Sequence, residues 1–164
     1  MIYIILCSVF ILGAVLYGIW AARKVKKSKD VMSFKEALDL TELPIVTFYN
    51  GETKLNFMLD TGSNHCILNK SAVSSLSKYK NTNMKSPGLV TGSSSNDIPM
   101  DIITLTLNYK NRVFMENFTI IDMDEPFNAI KQESGVTIHG ILGNCFFTKY
   151  KYVLDFDEMI FYMK

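Results

Sequence analysis

The sequence predicts a mainly β domain that follows an N-terminal apolar helix, and three observations support this prediction. Short apolar or alternating segments bounded by turn residues recur from residue 45 onward. Asn50 and Gly51 stand between the first two of these segments, which is a strong β-hairpin signal. Residues 1–22 contain no Asp, Glu, Lys, Arg or His. A chain of 164 residues, 48% of them hydrophobic, is therefore expected to form one compact domain with a short apolar attachment.

Residues 1–22 are predicted to form a single transmembrane helix. At about 1.5 Å per residue, these 22 residues span roughly 33 Å, which is enough for a bilayer core. Tyr3, Tyr17 and Trp20 lie near the two ends, where aromatic side chains anchor helices at the membrane interface. A cleaved signal peptide would carry basic residues before its apolar segment, and none stands there. A buried core helix is disfavoured because the segment has no polar face.

A cluster of basic residues follows the apolar segment and predicts its orientation. The cluster consists of Arg23, Lys24, Lys26, Lys27 and Lys29. Because an excess of Lys and Arg on one flank tends to remain cytoplasmic, we expect a single-pass membrane protein with its domain in the cytoplasm. The same cluster is suited to attract anionic lipid headgroups.

Residues 23–42 are predicted to be a basic juxtamembrane linker, and residues 43–164 the folded domain. Ser33 and Glu36 have the spacing of a capping box, in which a serine at the helix N-cap pairs with a glutamate three residues later. The linker is therefore expected to contain a short helix over residues 33–40, which ends before the next proline.

The first part of the domain is predicted to contain a hairpin, a short strand and a helical turn. Residues 45–49 and 54–60 form the hairpin, which places Asp60 at the end of its second strand. Residues 65–68, HCIL, are typical of a short strand, and Asn69 is suited to the N-cap of a helical turn.

The remainder of the domain is also predicted to consist mostly of strands. A hairpin is expected around a Gly-Ser-Asn tip within residues 88–109, and a further strand covers residues 113–123. Pro126 is expected to open a short helical or irregular segment. Residues 136–164 supply an apolar strand, a turn, an aromatic helical turn and a closing hairpin across the letters DFDE.

The sequence gives no indication of metal, cofactor or nucleic-acid binding. His65 and His139 lack the spacing of metal ligands and are interpreted as structural. Residues 41–164 carry 11 Lys or Arg against 13 Asp or Glu, so no basic surface for nucleic acid is expected. The three cysteines, an odd number that fits a reducing compartment, are Cys7, Cys66 and Cys145.

The position of Asp60 at the end of a buried strand requires a physical reason. A carboxylate there loses hydration, so it must find hydrogen-bond donors or stay protonated. Gly62 allows a turn that brings peptide N–H groups to the carboxylate, Thr61 can bond its hydroxyl to neighbouring backbone, and Ser63 offers another donor. Two interpretations stay open. Asp60 is half of a carboxylate pair that shares one proton and activates water, or Asp-Thr-Gly is an ordinary turn.

Residues 59–63, LDTGS, and 139–147, HGILGNCFF, together resemble the retropepsin-like aspartic proteases, of the bacterial membrane-anchored type, and the ending YVLDFDEMIFY looks like that of bacterial members of the family. The two motifs are far more specific as a pair than singly. In that family an apolar-apolar-Gly segment passes beneath the active-site loop, and Ile141, Leu142 and Gly143 match it here. The resemblance covers the predicted domain but not the membrane helix or the linker.

The resemblance implies a single-lobe, closed β-barrel of the acid-protease type with one or two short helices. It also implies that Asp60 is the catalytic aspartate, that the Thr61 hydroxyl grips an opposing loop and that Gly62 is the turn glycine. A mobile hairpin flap is implied at residues 90–100, although its tip is poorer in glycine than is usual in the family. The implied substrate is a peptide or protein, without metal or cofactor. Candidate substrate-binding residues are Ser63, Thr91, Gly92, Ser93 and Ser94.

A single Asp-Thr-Gly supplies only half of a catalytic pair. No other aspartate in the sequence is followed by Thr-Gly or Ser-Gly, so the second carboxylate is expected from another copy in a two-fold homodimer. The sequence therefore predicts a membrane-anchored aspartic endopeptidase that is active as a homodimer. A non-catalytic peptide- or protein-binding module at the membrane is the alternative, and a purely structural membrane-tethered barrel is the third.

Overall fold

The computed structural model describes residues 31–77, 79–82 and 101–163, together with Gly13, and this part of the chain is mainly β, as predicted. The helices are α1 (Lys35–Thr41), α2 (Asp124–Ser134), α3 (Asn144–Tyr150) and a 3-10 helix, Lys70–Ser75. The strands are β1 (Met32–Ser33), β2 (Ile45–Asn50), β3 (Thr53–Leu59), β4 (Cys66–Asn69), β5 (Tyr79–Thr82), β6 (Ile102–Tyr109), β7 (Arg112–Ile121), β8 (Gly140–Leu142), β9 (Tyr152–Asp155) and β10 (Ile160–Met163).

Three predicted parts of the chain lie outside the described residues. They are the transmembrane helix at residues 1–22, apart from Gly13, the basic part of the linker at residues 23–30, and residues 83–100, which include the flap at residues 90–100. Within the described part of the chain, no helix has the length and apolar character needed to cross a bilayer.

Six strands close into a barrel in the order β2, β3, β8, β4, β7, β6. The ring is closed by a pairing between β2 and β6, where Tyr49 lies opposite Asn108. β5 pairs with the first half of β6, outside the ring. The predicted hairpin across Asn50 and Gly51 is confirmed as β2 and β3, and Gly51 has the positive φ of +61° that such a turn requires. The expected closed β-barrel is therefore confirmed.

β8 is the strand that determines where the chain crosses the end of the barrel. It runs parallel to β3, with Leu142 opposite Leu59, and antiparallel to β4, with Ile141 opposite Ile67. Only glycine fits at Gly140, because a Cβ atom there would lie 2.2 Å from the carbonyl oxygen of Ile67. Since β3 and β4 flank β8, the loop that joins β3 to β4 must pass the C-terminal end of β8.

An aromatic cluster fills the barrel interior. The Phe48 side chain is fully buried, and its ring centroid lies 6.2 Å from that of Phe57, 5.5 Å from that of Phe114 and 5.8 Å from that of Phe146. These pairs meet edge to face, a geometry worth about 0.5–1.5 kcal/mol beyond the burial of area. Phe146 belongs to α3, so the cluster packs this helix against the barrel.

A second sheet of three strands, in the order β1, β10, β9, lies outside the ring. The closing hairpin predicted across DFDE is confirmed as β9 and β10. Met32 and Phe34 are buried in the main core, and Met32 pairs with Phe161 of β10. The structured unit therefore includes residues 32–41, which the sequence placed in the linker.

The short helix predicted over residues 33–40 is present as α1, but its capping box is not. Ser33 is paired in β1 with Ile160, so the helix begins later, at Lys35, with Phe34 at its N-cap. The Ser33 hydroxyl oxygen instead accepts a hydrogen bond from the Lys35 N–H at 3.3 Å. Strand pairing and the burial of Phe34 thus override the local capping signal.

The helical turn predicted after Asn69 is present as the 3-10 helix. Asn69 is its N-cap by position, but its side chain makes no capping hydrogen bond. The side-chain amide donates to Asp124 at 2.8 Å and to the Ser71 hydroxyl at 3.0 Å, and its oxygen accepts the Met123 N–H at 2.9 Å. Asn69 therefore joins the end of β4 to the start of α2. Pro126 does not open the helix, because α2 begins two residues earlier, at Asp124.

We expect Phe48→Ala to lower the free energy of unfolding by about 3–5 kcal/mol, because it empties the centre of the aromatic cluster. The matched control is Val113→Ala on β7, whose side chain is 66% exposed; a change within about 0.5 kcal/mol is expected there. Chemical denaturation of both variants measures the difference. Equal losses for the two variants would contradict the assignment of the core.

Candidate active site

Asp60 follows the last residue of β3 and is fixed by backbone hydrogen bonds on both sides of the strand. The Leu59 N–H donates to the carbonyl oxygen of Pro44 at 2.8 Å, and the Asp60 N–H donates to that of Leu142 at 3.1 Å. The second bond continues the parallel pairing of β3 with β8 by one residue. The backbone of Asp60 is therefore held to the end of β8.

The chain turns immediately after Asp60 and directs a peptide N–H at its side chain. The Gly62 N–H donates to Asp60 Oδ1 at 2.9 Å, and the Ser63 N–H donates to the Asp60 carbonyl oxygen at 3.3 Å. The Asp60 side chain is half-buried. Within the described residues, no donor contacts its other carboxylate oxygen, Oδ2. The turn thus orients the carboxylate and leaves one oxygen open to a further group.

Thr61 and Ser63 do not support the carboxylate directly. Thr61 is exposed, and its hydroxyl has no partner among the described residues, so it is open to contact a second molecule. The Ser63 hydroxyl was expected to offer a donor to Asp60, and this expectation is wrong. It donates instead to the backbone carbonyl oxygen of His65, two residues later, at 2.8 Å.

The loop of residues 60–65, which we call the active-site loop, rests on the start of α3. The Asn144 N–H donates to the Ser63 carbonyl oxygen at 2.7 Å. A Cβ atom on Gly143 would lie 2.3 Å from the carbonyl oxygen of His65, so no larger residue fits there without a backbone shift. The Asp-Thr-Gly motif and the Ile-Leu-Gly motif are therefore in direct contact.

The His139 side chain takes no part in the geometry around Asp60, whereas His65 contributes its carbonyl oxygen to the active-site loop. His139 Nδ1 accepts the Asn56 N–H at 3.0 Å, and the backbone N–H of His139 donates to the Asn56 carbonyl oxygen at 2.8 Å. Burial lowers the pKa of His139, which favours its neutral, accepting form. Among the described residues, no group of three or more His, Cys, Asp or Glu side chains is placed to hold a metal ion.

Four of the candidate substrate-binding residues cannot be placed. Thr91, Gly92, Ser93 and Ser94 lie outside the described residues.

One further contact at the active-site loop was not indicated by the sequence. Cys66 and Cys145 meet beside the loop with their Sγ atoms 3.2 Å apart, and only the neighbourhood of the two motifs in the fold reveals this contact.

The chain matches the model of the aspartyl protease family over residues 45–146. This range runs from the start of β2 into α3 and includes both motifs. No curated protein matches the sequence.

Three of the solved structures to which the chain is similar are described next. The retroviral protease-like domain of Ddi1 from Leishmania major has a TM-score of 0.50 at 11% identity, over 74% of this chain and 88% of that one. A retropepsin-like aspartic protease from Rickettsia conorii has a TM-score of 0.47 at 18% identity, over 73% and 81%. The EIAV protease complexed with the inhibitor HBY-793 has a TM-score of 0.45 at 19% identity, over 68% and 90%.

The family match extends over more than half of the chain, and the barrel carries the Asp-Thr-Gly loop at the end of β3. The protein therefore belongs to the aspartyl protease family, and its fold is similar to that of the retroviral protease-like domain of Ddi1.

Proposed function

We propose that the protein is an aspartic endopeptidase that works as a homodimer, in which Asp60 of each copy supplies one carboxylate of the catalytic pair. The observation that carries this proposal is the geometry of Asp60. Its carboxylate lies half-buried at the end of β3, with Oδ1 held by the Gly62 N–H at 2.9 Å. A carboxylate that is oriented on one side and open on the other is suited to meet a second carboxylate.

Catalysis then follows from the sharing of one proton. Two carboxylates in close contact cannot both be ionised, so one is protonated and the other is not. The ionised Asp60 removes a proton from a water molecule, and the water oxygen attacks the carbonyl carbon of the peptide bond. The protonated Asp60 of the other copy donates its proton to the carbonyl oxygen. The proton taken from water later passes to the leaving nitrogen.

The dimer is proposed because one lobe contributes one Asp-Thr-Gly loop. A two-fold axis beside the active-site loop would bring Asp60 close to its own symmetry mate. The exposed Thr61 hydroxyl would then be in reach of the opposing loop.

The edge of β9 supports assembly as well. Its one pairing among the described strands is with β10, so its other edge can accept a strand of a second copy.

The proposed substrate is an extended peptide or protein segment bound between the active-site loop and the flap at residues 90–100. Ser63 would contact it from the loop, and Thr91, Gly92, Ser93 and Ser94 from the flap. We further propose that residues 1–22 anchor the protein in a membrane and that the domain faces the cytoplasm. Confinement to a surface would raise the effective concentration of the two copies.

We expect Asp60→Asn to lower peptidase activity by about a hundred- to ten-thousand-fold, because the amide cannot act as a general base. The variant keeps the shape of the side chain and its acceptor for the Gly62 N–H, so the fold should be retained. Cleavage of a peptide library measures activity, and thermal denaturation reports folding. The matched control is Asp39→Asn on the exposed surface of α1, which should leave activity unchanged. Full activity of Asp60→Asn would exclude Asp60 as the catalyst.

We expect mixtures of wild-type and Asp60→Asn protein to lose activity faster than in proportion to the wild-type fraction. In an equal mixture that exchanges freely, about one quarter of the dimers contain two wild-type copies, and only these are active under a two-fold mechanism. Activity measured across mixing ratios should follow the square of the wild-type fraction. A linear dependence would show that one copy is sufficient.

A further inference from the structure

Two thiols from distant parts of the chain meet beside the active-site loop. Cys66 begins β4, and Cys145 is the second residue of α3, 79 positions later. Their Sγ atoms lie 3.2 Å apart, and both cysteines are free. A disulfide requires a sulfur–sulfur distance of about 2.05 Å, so a closing movement of about 1 Å would join them. We call these two residues the thiol pair.

The two thiols differ in accessibility and in acidity. Cys66 is buried, with 1% of its surface exposed, whereas Cys145 is partly exposed. The hydrogen bond from Cys66 lowers the pKa of Cys145 to about 7. The same hydrogen bond and burial raise the pKa of Cys66. Cys145 therefore has the properties of the thiolate that attacks an oxidant first. Cys66 has those of the resolving thiol, which attacks the resulting mixed disulfide.

The thiol pair joins the same two segments that hold the active-site loop. Cys145 follows Asn144, whose N–H donates to the Ser63 carbonyl oxygen at 2.7 Å. Cys66 follows His65, whose carbonyl oxygen packs against Gly143. A covalent bond between the two sulfurs would thus add a third connection between the loop and α3. Because the contact at Gly143 leaves no free space, a shift of either segment must move the loop.

We propose that the thiol pair is a redox modification site that closes to a disulfide and clamps the active-site loop to α3. The oxidant is a low-molecular-weight disulfide. The Cys145 thiolate attacks one of its sulfurs, forms a mixed disulfide and releases one thiolate. Cys66 then loses its proton to solvent and attacks the Cys145 sulfur, which releases the second thiolate. The protein loses two protons and two electrons, and the small disulfide takes them up to give two thiols.

The clamp is expected to lower peptidase activity, and this consequence rests on the proposed function of Asp60. Closure of the disulfide displaces backbone that contacts Ser63 and His65. A displacement of about 1 Å in a group that positions a reaction can cost up to about a hundredfold in rate. The reduced thiol pair is therefore the active form, and reducing thiols restore it.

The first experiment tests whether the pair closes. The full chain with Cys7→Ser retains Cys66 and Cys145 as its two cysteines. The folded protein is incubated with oxidised glutathione, the free thiols are alkylated and the intact mass is measured. We expect both alkylation sites to be lost without retained glutathione, and reduced glutathione to restore them. With Cys66→Ser added, we expect glutathione to remain bound to Cys145.

Two results of this experiment would overturn the proposal. The first is that both thiols remain free in oxidised glutathione. The second is that glutathione remains on Cys145 although Cys66 is present, because Cys66 would then not resolve the mixed disulfide.

Thermal denaturation tests the clamp without reference to peptidase activity. A bond that closes such a long stretch of chain restricts the unfolded state, so the oxidised protein should have a higher Tm than the reduced protein. The control is the double variant Cys66→Ala/Cys145→Ala, whose Tm should not respond to glutathione. An unchanged or lower Tm on oxidation would overturn the clamp.

Peptidase assays test the consequence for catalysis. We expect oxidation to lower kcat by about tenfold or more, and the double variant to keep its activity in oxidised glutathione. Equal kcat values in the two redox states would show that the disulfide does not regulate peptidase activity. If the reduced protein cleaves no peptide, the proposed function fails, whereas the mass and Tm measurements still decide whether the thiol pair closes.

Discussion

The contact between the active-site loop and the start of α3 is the constraint on which the rest of the structure depends. The Ser63 carbonyl oxygen accepts the Asn144 N–H, and Gly143 leaves room for the His65 carbonyl oxygen. Because β3 and β4 lie on either side of β8, the loop between them has to pass this point. The position of Asp60 is therefore set by the whole barrel and not by the local Asp-Thr-Gly turn.

Much of the fold could be predicted because local signals and tertiary pairing agree. Asn-Gly between two apolar segments predicted the β2–β3 hairpin, and Gly51 supplies the positive φ of its turn, whereas Asn50 remains in β2 and pairs with Thr53. The signals failed where tertiary contacts decide. Ser33 does not cap α1 because it pairs in β1, and β5 was not predicted because Tyr79–Thr82 lacks an apolar alternation. That strand depends on its neighbour β6.

The candidate site was predictable to the same extent. An apolar strand before Asp60 and a glycine two residues after it predicted an N–H directed at the carboxylate, and the Gly62 N–H takes this place. The Ser63 hydroxyl could not be placed from the sequence, since it had several acceptors within two residues and bonds to the backbone of His65. The thiol pair could not be predicted at all. No local pattern relates two positions that are 79 residues apart and meet only when β4 packs against α3.

The proposed sharing of one active site by two copies is tested most directly by the binding stoichiometry of a transition-state mimic. A peptide with a statine-type hydroxyl group in place of the scissile bond is titrated into the protein by calorimetry. A site formed by Asp60 of both copies predicts one inhibitor molecule for every two chains. Binding of one inhibitor molecule to each chain would contradict a shared site.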